Sequence, residues 1–234
     1  MDCRSRPAAG GRGRGRPTGT DSAETRASIL RAARHVINER GYEAATFQAI
    51  AQRAGFSRPT MHYYFETKEQ IYDELTREAH AVIVECIDAA KREQSLLKQL
   101  AAFVSAASRR DTSDGSVTRF IVASRLEQHR NPTLRGANSP VADAVDGFYR
   151  WLVDDGIRRG EIPDDIDADA VADMLSAMCW GMGFFASFAH RPDETQKIAK
   201  QLHLLLVGGL LDDASRTRPL TVGPACGWPG AEMN

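Results

Sequence analysis

Residues 46–68 read TFQAIAQRAGFSRPTMHYYFETK, and this stretch decides the fold. Thr46 can cap a short helix over 47–54, in which Ile50 and Ala51 point inward. Gly55-Phe56-Ser57 predicts a tight turn, because glycine takes positive φ without a Cβ penalty. A second short helix should run to about Phe65, with Phe56 and Met61 facing a small core. Ala51 is small enough to let the two helices cross closely. Glu66-Thr67 breaks the pattern, and Thr67 to Gln70 has capping-box spacing, which opens a long helix. Two short helices joined by a glycine turn form the helix-turn-helix pattern, whose second helix enters the DNA major groove. Eight residues at 1.5 Å each make about 12 Å, close to the width of that groove.

A helical hairpin inside a bundle has the same outline. His62, Tyr63 and Tyr64 argue against it, since three successive rings cannot all be buried on one side of a helix. Arg58 can bridge guanine O6 and N7, and Thr60 can meet a base edge or a thymine methyl. Tyr63, Tyr64, Thr46 and Lys68 are better suited to phosphates, which set register rather than sequence preference.

The same residues carry a family resemblance. Thr46, Ile50-Ala51, Ala54-Gly55, Ser57, Thr60-Met61, Tyr63-Tyr64-Phe65 and Lys68-Glu69, with Gly41 ahead of them, resemble the tetracycline-repressor-like (TetR) family of bacterial transcription regulators, without gaps. The close match covers about residues 22–85. The resemblance implies a homodimer on an operator with inverted half-sites, and a C-terminal domain that binds a small molecule and releases DNA. It places Ser57 and His62 with the DNA-binding residues named above. Two positions depart from the family pattern. Pro59 stands where a small residue or glycine is common, and should push Arg58 out of α geometry, starting the helix one residue late. His62 stands where tyrosine is common, often as a phosphate contact; a histidine can donate to phosphate, more strongly when protonated.

Outward from the motif, charge is unevenly spread. Residues 1–65 hold eleven arginines and five acidic residues, a net charge of +6, and the remainder carries 19 basic against 26 acidic residues, or −7. A basic front on an acidic body points to a nucleic-acid-binding end. The first twenty residues are rich in glycine and arginine and should be flexible. Within them Arg14-Gly15-Arg16-Pro17 resembles the core of AT-hook peptides, so Arg14 and Arg16 are candidates for an A·T minor groove. The competing reading is a solvated tether with phosphate attraction alone.

The expected organisation is a flexible basic arm over 1–21, a DNA-binding domain over 22–83 with its motif at about 46–65, a ligand-binding and dimerisation domain over 84–215, and a flexible tail over 216–234. Asp21 and Glu24 predict a capping box at the start of the first helix, whose inner face is Ile29, Ala33, Val36 and Ile37. Gly41 should end it. Helices are predicted over 68–90, 95–108, 117–130, 140–159 and 168–189 (capped by Asp167), with a last one, capped by Asp193 or Thr195, running to about Asp213. No run alternates in the manner of a strand, so the chain reads as all-α with about nine helices.

Residues 174–189 carry no charge but fall short of the roughly 18–20 a membrane span needs, so they read as a buried helix. That helix and the last one are apolar on every face, which places them either at the centre of a bundle or at a four-helix interface between two subunits. Phe103, Phe120, Leu126, Phe148, Trp151, Met178 and Trp180 could wall a pocket, with Arg125, Glu127 and His129 as polar groups, though for any single one a core aromatic or a solvated charge is the favoured reading. Contact residues for a ligand are therefore left unassigned.

The four cysteines and six histidines have no metal-ligand spacing, and no nucleophile motif or phosphate loop appears, so neither a cofactor nor an enzyme activity is expected. Without an apolar leader, a cytoplasmic, nucleoid-associated protein is expected. The reading is a ligand-responsive repressor that binds double-stranded operator DNA as a homodimer and answers to a small apolar effector. Other classes remain: an activator, a non-specific DNA-binding protein working through the arm, or an all-α protein or enzyme for a lipid-like molecule.

Overall fold

The computed structural model describes residues 19–110, 115–131, 134, 139–188, 197–198, 201–202 and 204. Among these it is helical, without a strand. Eight helices follow in order: α1 (Gly19–Ala44), α2 (Phe47–Ala54), α3 (Arg58–Tyr64), α4 (Lys68–Lys91), α5 (Leu96–Arg110), α6 (Ser116–Arg130), α7 (Pro140–Arg158) and α8 (Ala168–Phe188). The expected ninth helix falls largely outside the described residues; positions 197, 198, 201, 202 and 204 within it are helical. The expected arm up to residue 18, and the tail, lie outside them.

Local chemistry sets the boundaries. Thr46 is extended and accepts from the Ala49 N–H at 3.2 Å, capping α2. Gly55 closes α2 in the left-handed region at φ 74°. Thr67 caps α4 by accepting from the Gln70 N–H at 3.2 Å. The return bond differs from a capping box: Gln70 Oε1 accepts from Glu66, one residue upstream, at 2.8 Å. Gly41 interrupts α1 at φ 79°, ψ 166°, a conformation closed to other residues, so the last turn to Ala44 departs in a new direction.

Two boundaries correct expectation. α1 begins at Gly19, two residues ahead of the expected Asp21 cap, so position 21 lies inside the helix. Helix ends commonly shift by a residue or two when no strong breaker stands there. α3 begins at Arg58 rather than one residue later. Ser57 takes the capping position and accepts from the Thr60 N–H at 3.2 Å, and Pro59 occupies the first turn, where its missing N–H costs nothing.

The first four helices share one core. Ile29, Ala33, Val36 and Ile37 of α1 are buried as expected, against Ile50, Ala51, Met61, Phe65, Ile71 and Leu75. Arg34 pairs with Glu78 at 2.8 Å, and Arg26 pairs with Glu74 while its guanidinium lies 4.6 Å from the Phe65 ring centre, so α1 is clamped along α4. Further on, Phe103 of α5 stacks on Phe148 of α7 at 4.9 Å. A polar knot joins the ends of α5 and α7. Glu161 accepts from the Leu96 N–H at 2.8 Å, and buried Gln99 reaches Asp155 at 3.1 Å, which also pairs with Arg159.

Asp167 starts α8 by accepting from the Ala170 N–H at 3.0 Å. A fully buried α8 is not what the fold contains. Of its side chains only Ala172, Leu175, Ser176 and Ser187 are buried, while Phe184 is 50% exposed and Met174 and Phe188 are also exposed. α6 and α7 cover one side of α8, and among the described residues Met174, Phe184 and Phe188 remain exposed on it. Composition alone would let α8 pass for a membrane span, yet it packs against α6 and α7.

Candidate nucleic-acid interface

α2 and α3 cross over the core at Ile50, Ala51 and Met61 and present their remaining faces outward. Neither helix carries an acidic residue, and their two arginines differ in role. Arg53 is held by Glu39 of α1, with Nη1 to both carboxylate oxygens at 2.7 and 2.8 Å. Arg58, at the first position of α3, is exposed and makes no ion pair or hydrogen bond with any described residue. It is the available guanidinium on this surface.

The other predicted residues fall into three groups. Thr46 and Ser57 are spent on capping, although both stay exposed at helix N-termini, where backbone N–H groups and the helix dipole favour anions. The Thr60 hydroxyl is 2.8 Å from the Ser57 hydroxyl, which ties it into the cap. Of the ring triplet, Tyr63 is 74% exposed, Tyr64 is half-buried against the core, and His62 is exposed but braced. Tyr63 and Tyr64 meet edge to face with centroids 5.1 Å apart.

His62 stacks on Phe47, the first residue of α2, at 4.7 Å with an interplanar angle of 12°. Phe47 is therefore a platform that fixes the imidazole, and sequence reasoning missed it. Fifteen residues of separation, with a turn between, carry no periodic signal for such a contact.

Lys68 is also placed differently from a free surface cation. Its Nζ donates to the Tyr42 carbonyl at 3.0 Å and the Glu43 carbonyl at 3.4 Å, and lies 4.0 Å from the Tyr42 ring centre. The Tyr42 hydroxyl in turn donates to Glu69 Oε1 at 3.0 Å. Burial and the Glu69 carboxylate push the Tyr42 phenol well above its ordinary range. Glu69 is held below the usual carboxylate range by its own backbone N–H at the start of α4 and by the Tyr42 hydroxyl. The lysine thus closes the end of α1 onto the start of α4, just behind α3. Arg14 and Arg16 lie outside the described residues.

Of the sequence candidates for a pocket, Phe103, Phe148 and Trp151 lie together, with successive ring centres 4.9 and 6.2 Å apart. Phe103 and Phe148 are buried between α5 and α7, and Phe120 packs against Tyr72 of α4. Leu126 is exposed, and Trp151, Met178 and Trp180 are half-buried. Arg125 faces Asp146 at 3.9 Å and lies 5.4 Å from the centre of the Trp180 ring, whose N–H is buried without a partner among the described residues.

Comparison with known proteins bears on the same segment. Residues 29–75 match the family model described as bacterial regulatory proteins, tetR family. The chain is 28% identical over 183 residues to the HTH-type transcriptional repressor BepR of Brucella suis, covering 71% of this chain and 82% of that one. It is 26% identical over 148 residues to the fatty acid metabolism regulator protein of Bacillus subtilis, covering 63% and 75% respectively. A TetR transcriptional regulator from Chloroflexus aurantiacus superposes with a TM-score of 0.66 at 23% identity, covering 82% of this chain and 98% of that one.

Proposed function

This chain belongs to the tetracycline-repressor-like family of bacterial regulatory proteins, and on that premise we propose how it works. It is a DNA-binding, ligand-responsive transcription regulator, and in our reading a repressor: two copies bind an operator with inverted half-sites. The single observation that carries the reading is the acid-free outer surface of α2 and α3, where exposed Arg58 and Tyr63 flank a braced His62.

Within that surface Arg58 reads a guanine edge, the strongest specific contact an arginine makes. Thr60, its hydroxyl spent on Ser57, offers its methyl to the groove. His62, Tyr63, Tyr64, Thr46, Ser57 and the remaining donor of Lys68 set register on phosphates. Arg14 and Arg16 add minor-groove contacts from the arm. Residues 22–83 form the DNA-binding head, and residues 84–215 form the body.

Met174, Phe184 and Phe188 of α8, exposed among the described residues, support dimerisation through the body. One seven-residue reading helix touches few bases, so linking two half-sites supplies the affinity a single head lacks. A small apolar effector taken up in the body changes the spacing of the heads and so misaligns one half-site. The protein acts in the cytoplasm and does no catalysis.

Selection from a pool of random duplexes tests the reading. The expected product is an inverted repeat with half-site centres about one helical turn apart or a multiple of it. Enrichment of no common sequence would refute it and leave only phosphate attraction.

A further inference from the structure

His62 is the one side chain on α2 and α3 of a type that ordinarily titrates near neutral pH. It is exposed and makes no hydrogen bond or ion pair with any described residue. Its ring nevertheless has a fixed place. It lies flat against Phe47 at 4.7 Å, with 12° between the planes. Phe47 is half-buried and packs against the core, so the platform is itself anchored. The imidazole nitrogens stand at the ring's edge, and a stack on one face leaves them open to a partner from outside. An aromatic face also attracts a cation placed over it.

The charges around that ring are mostly positive. α2 brings Arg53 alone, which Glu39 of α1 holds with both carboxylate oxygens. α3 brings Arg58, four residues before His62 and so on the same side of the helix. Tyr63 and Tyr64 complete its titratable groups. The first N–H groups of α2, beside Phe47, add partial positive charge, and the carbonyl end of α3, where His62 stands, adds a weaker negative one. Two acids flank the motif. Glu43, at the end of α1, accepts from the Asn131 amide at 2.5 Å, and Glu66, past the end of α3, is exposed with its backbone N–H on Gln70. No carboxylate among the described residues is paired with His62. A duplex changes this balance. In the regulator reading His62 meets a phosphate, which brings a full negative charge to the ring. An opposite charge favours the protonated form.

We propose that His62 takes up a proton as the head binds DNA, so that the proton is a co-ligand of the duplex and affinity falls as pH rises through the neutral range. The inference rests on the regulator reading and adds a second input to it: acid tightens the same surface whose grip the effector loosens. The proton comes from solvent and goes to a ring nitrogen, which then donates to the phosphate. The bound state holds more protons than the free one, so low pH favours binding. Each half-site takes up about one proton as an upper bound. The Phe47 stack is what keeps the imidazolium at a fixed position over the groove edge instead of in solvent.

The test measures affinity of the full chain for the selected operator and for a scrambled duplex, from about pH 6 to about pH 8 at constant ionic strength. His62→Gln keeps a donor and never charges, and His62→Lys is charged throughout; both retain every other histidine. His62 is exposed, so neither substitution should disturb folding. Across that range wild-type affinity should fall by about tenfold or more relative to both variants. Calorimetry in two buffers of different ionisation heat should find proton uptake near neutral pH in wild type and less in either variant. Wild-type profiles parallel to those of both variants, with equal uptake, would overturn the linkage, and a retained preference for the operator would leave the regulator reading standing. A slope that depends on His62 on both duplexes, without operator preference, would uphold the linkage and refute that reading. Parallel profiles and no preference would overturn both.

Discussion

The Lys68 ammonium lies 4.0 Å from the centre of the Tyr42 ring while donating to the Tyr42 carbonyl at 3.0 Å. One side chain thus holds the end of α1 from two directions and fixes it to the start of α4. Both donated bonds are charge-assisted, which makes them stronger than ordinary amide bonds. Lys68→Met should therefore lower folding stability by about 1–2 kcal/mol. It should also weaken binding to every duplex, with the slope of log affinity against log salt falling by less than about one unit. Chemical denaturation and a salt titration check both; unchanged stability with a full unit lost from the slope would make Lys68 a phosphate contact and nothing more.

Glu69 completes the same clip and gives it a pH dependence. Its carboxyl titrates below the ordinary 4.5 of a glutamate because its own N–H and the Tyr42 hydroxyl favour the charged form. A group whose folded pKa is lowered contributes stability above its unfolded pKa and loses it as pH falls through the folded one. The stability gap between wild type and Glu69→Gln should be widest near pH 7 and should close below pH 4.5. A gap that stays constant from about pH 3 to about pH 7 would remove the carboxylate from the clip.

Arg58 and His62 should separate by what they read. Arg58→Ala should cost about 1–3 kcal/mol on the selected site and relax preference at one base pair of each half-site. Phe47→Leu should weaken binding to selected and scrambled duplexes alike, because it removes the platform under His62 without touching a base. A binding-site logo compared between wild type and each variant tells the two apart. Loss of preference with Phe47→Leu, and none with Arg58→Ala, would reverse the assignment.

The motif was legible from the chain because caps and turns are local. Thr46, Gly55, Ser57 and Thr67 each act on groups within a few residues, so spacing reveals them. The inner face of α1 was legible for a similar reason, since Ile29, Ala33, Val36 and Ile37 repeat at helical spacing. The Phe47–His62 stack and the Lys68–Tyr42 clip were not legible. They depend on how helices cross, and no periodicity within one helix encodes that. The start of α3 was misread because the usual effect of proline on its predecessor yields at a capped first turn, where Arg58 has only just entered the helix.

α8 shows a second limit. An all-round apolar helix fits a buried centre and an interface equally well; among the described residues Phe184 and Phe188 are exposed, which supports our proposal of an interface. Phe184→Glu places a charge on that face without entering the core. It should turn a dimer into a folded monomer in sedimentation, and operator binding should fall by about 100-fold or more as the second half-site is lost. A monomeric wild type, or a dimer indifferent to Phe184→Glu, would move the interface elsewhere.

In our proposal two copies read two half-sites through α3. Its most direct test is a titration of the selected inverted repeat with the full chain at several salt concentrations, against a scrambled duplex of equal length. Saturation is expected at one dimer, or two, per repeat, with a preference over the scrambled duplex of about 1,000-fold or more that persists as salt rises. Equal affinity for both duplexes, falling steeply together with salt, would contradict it.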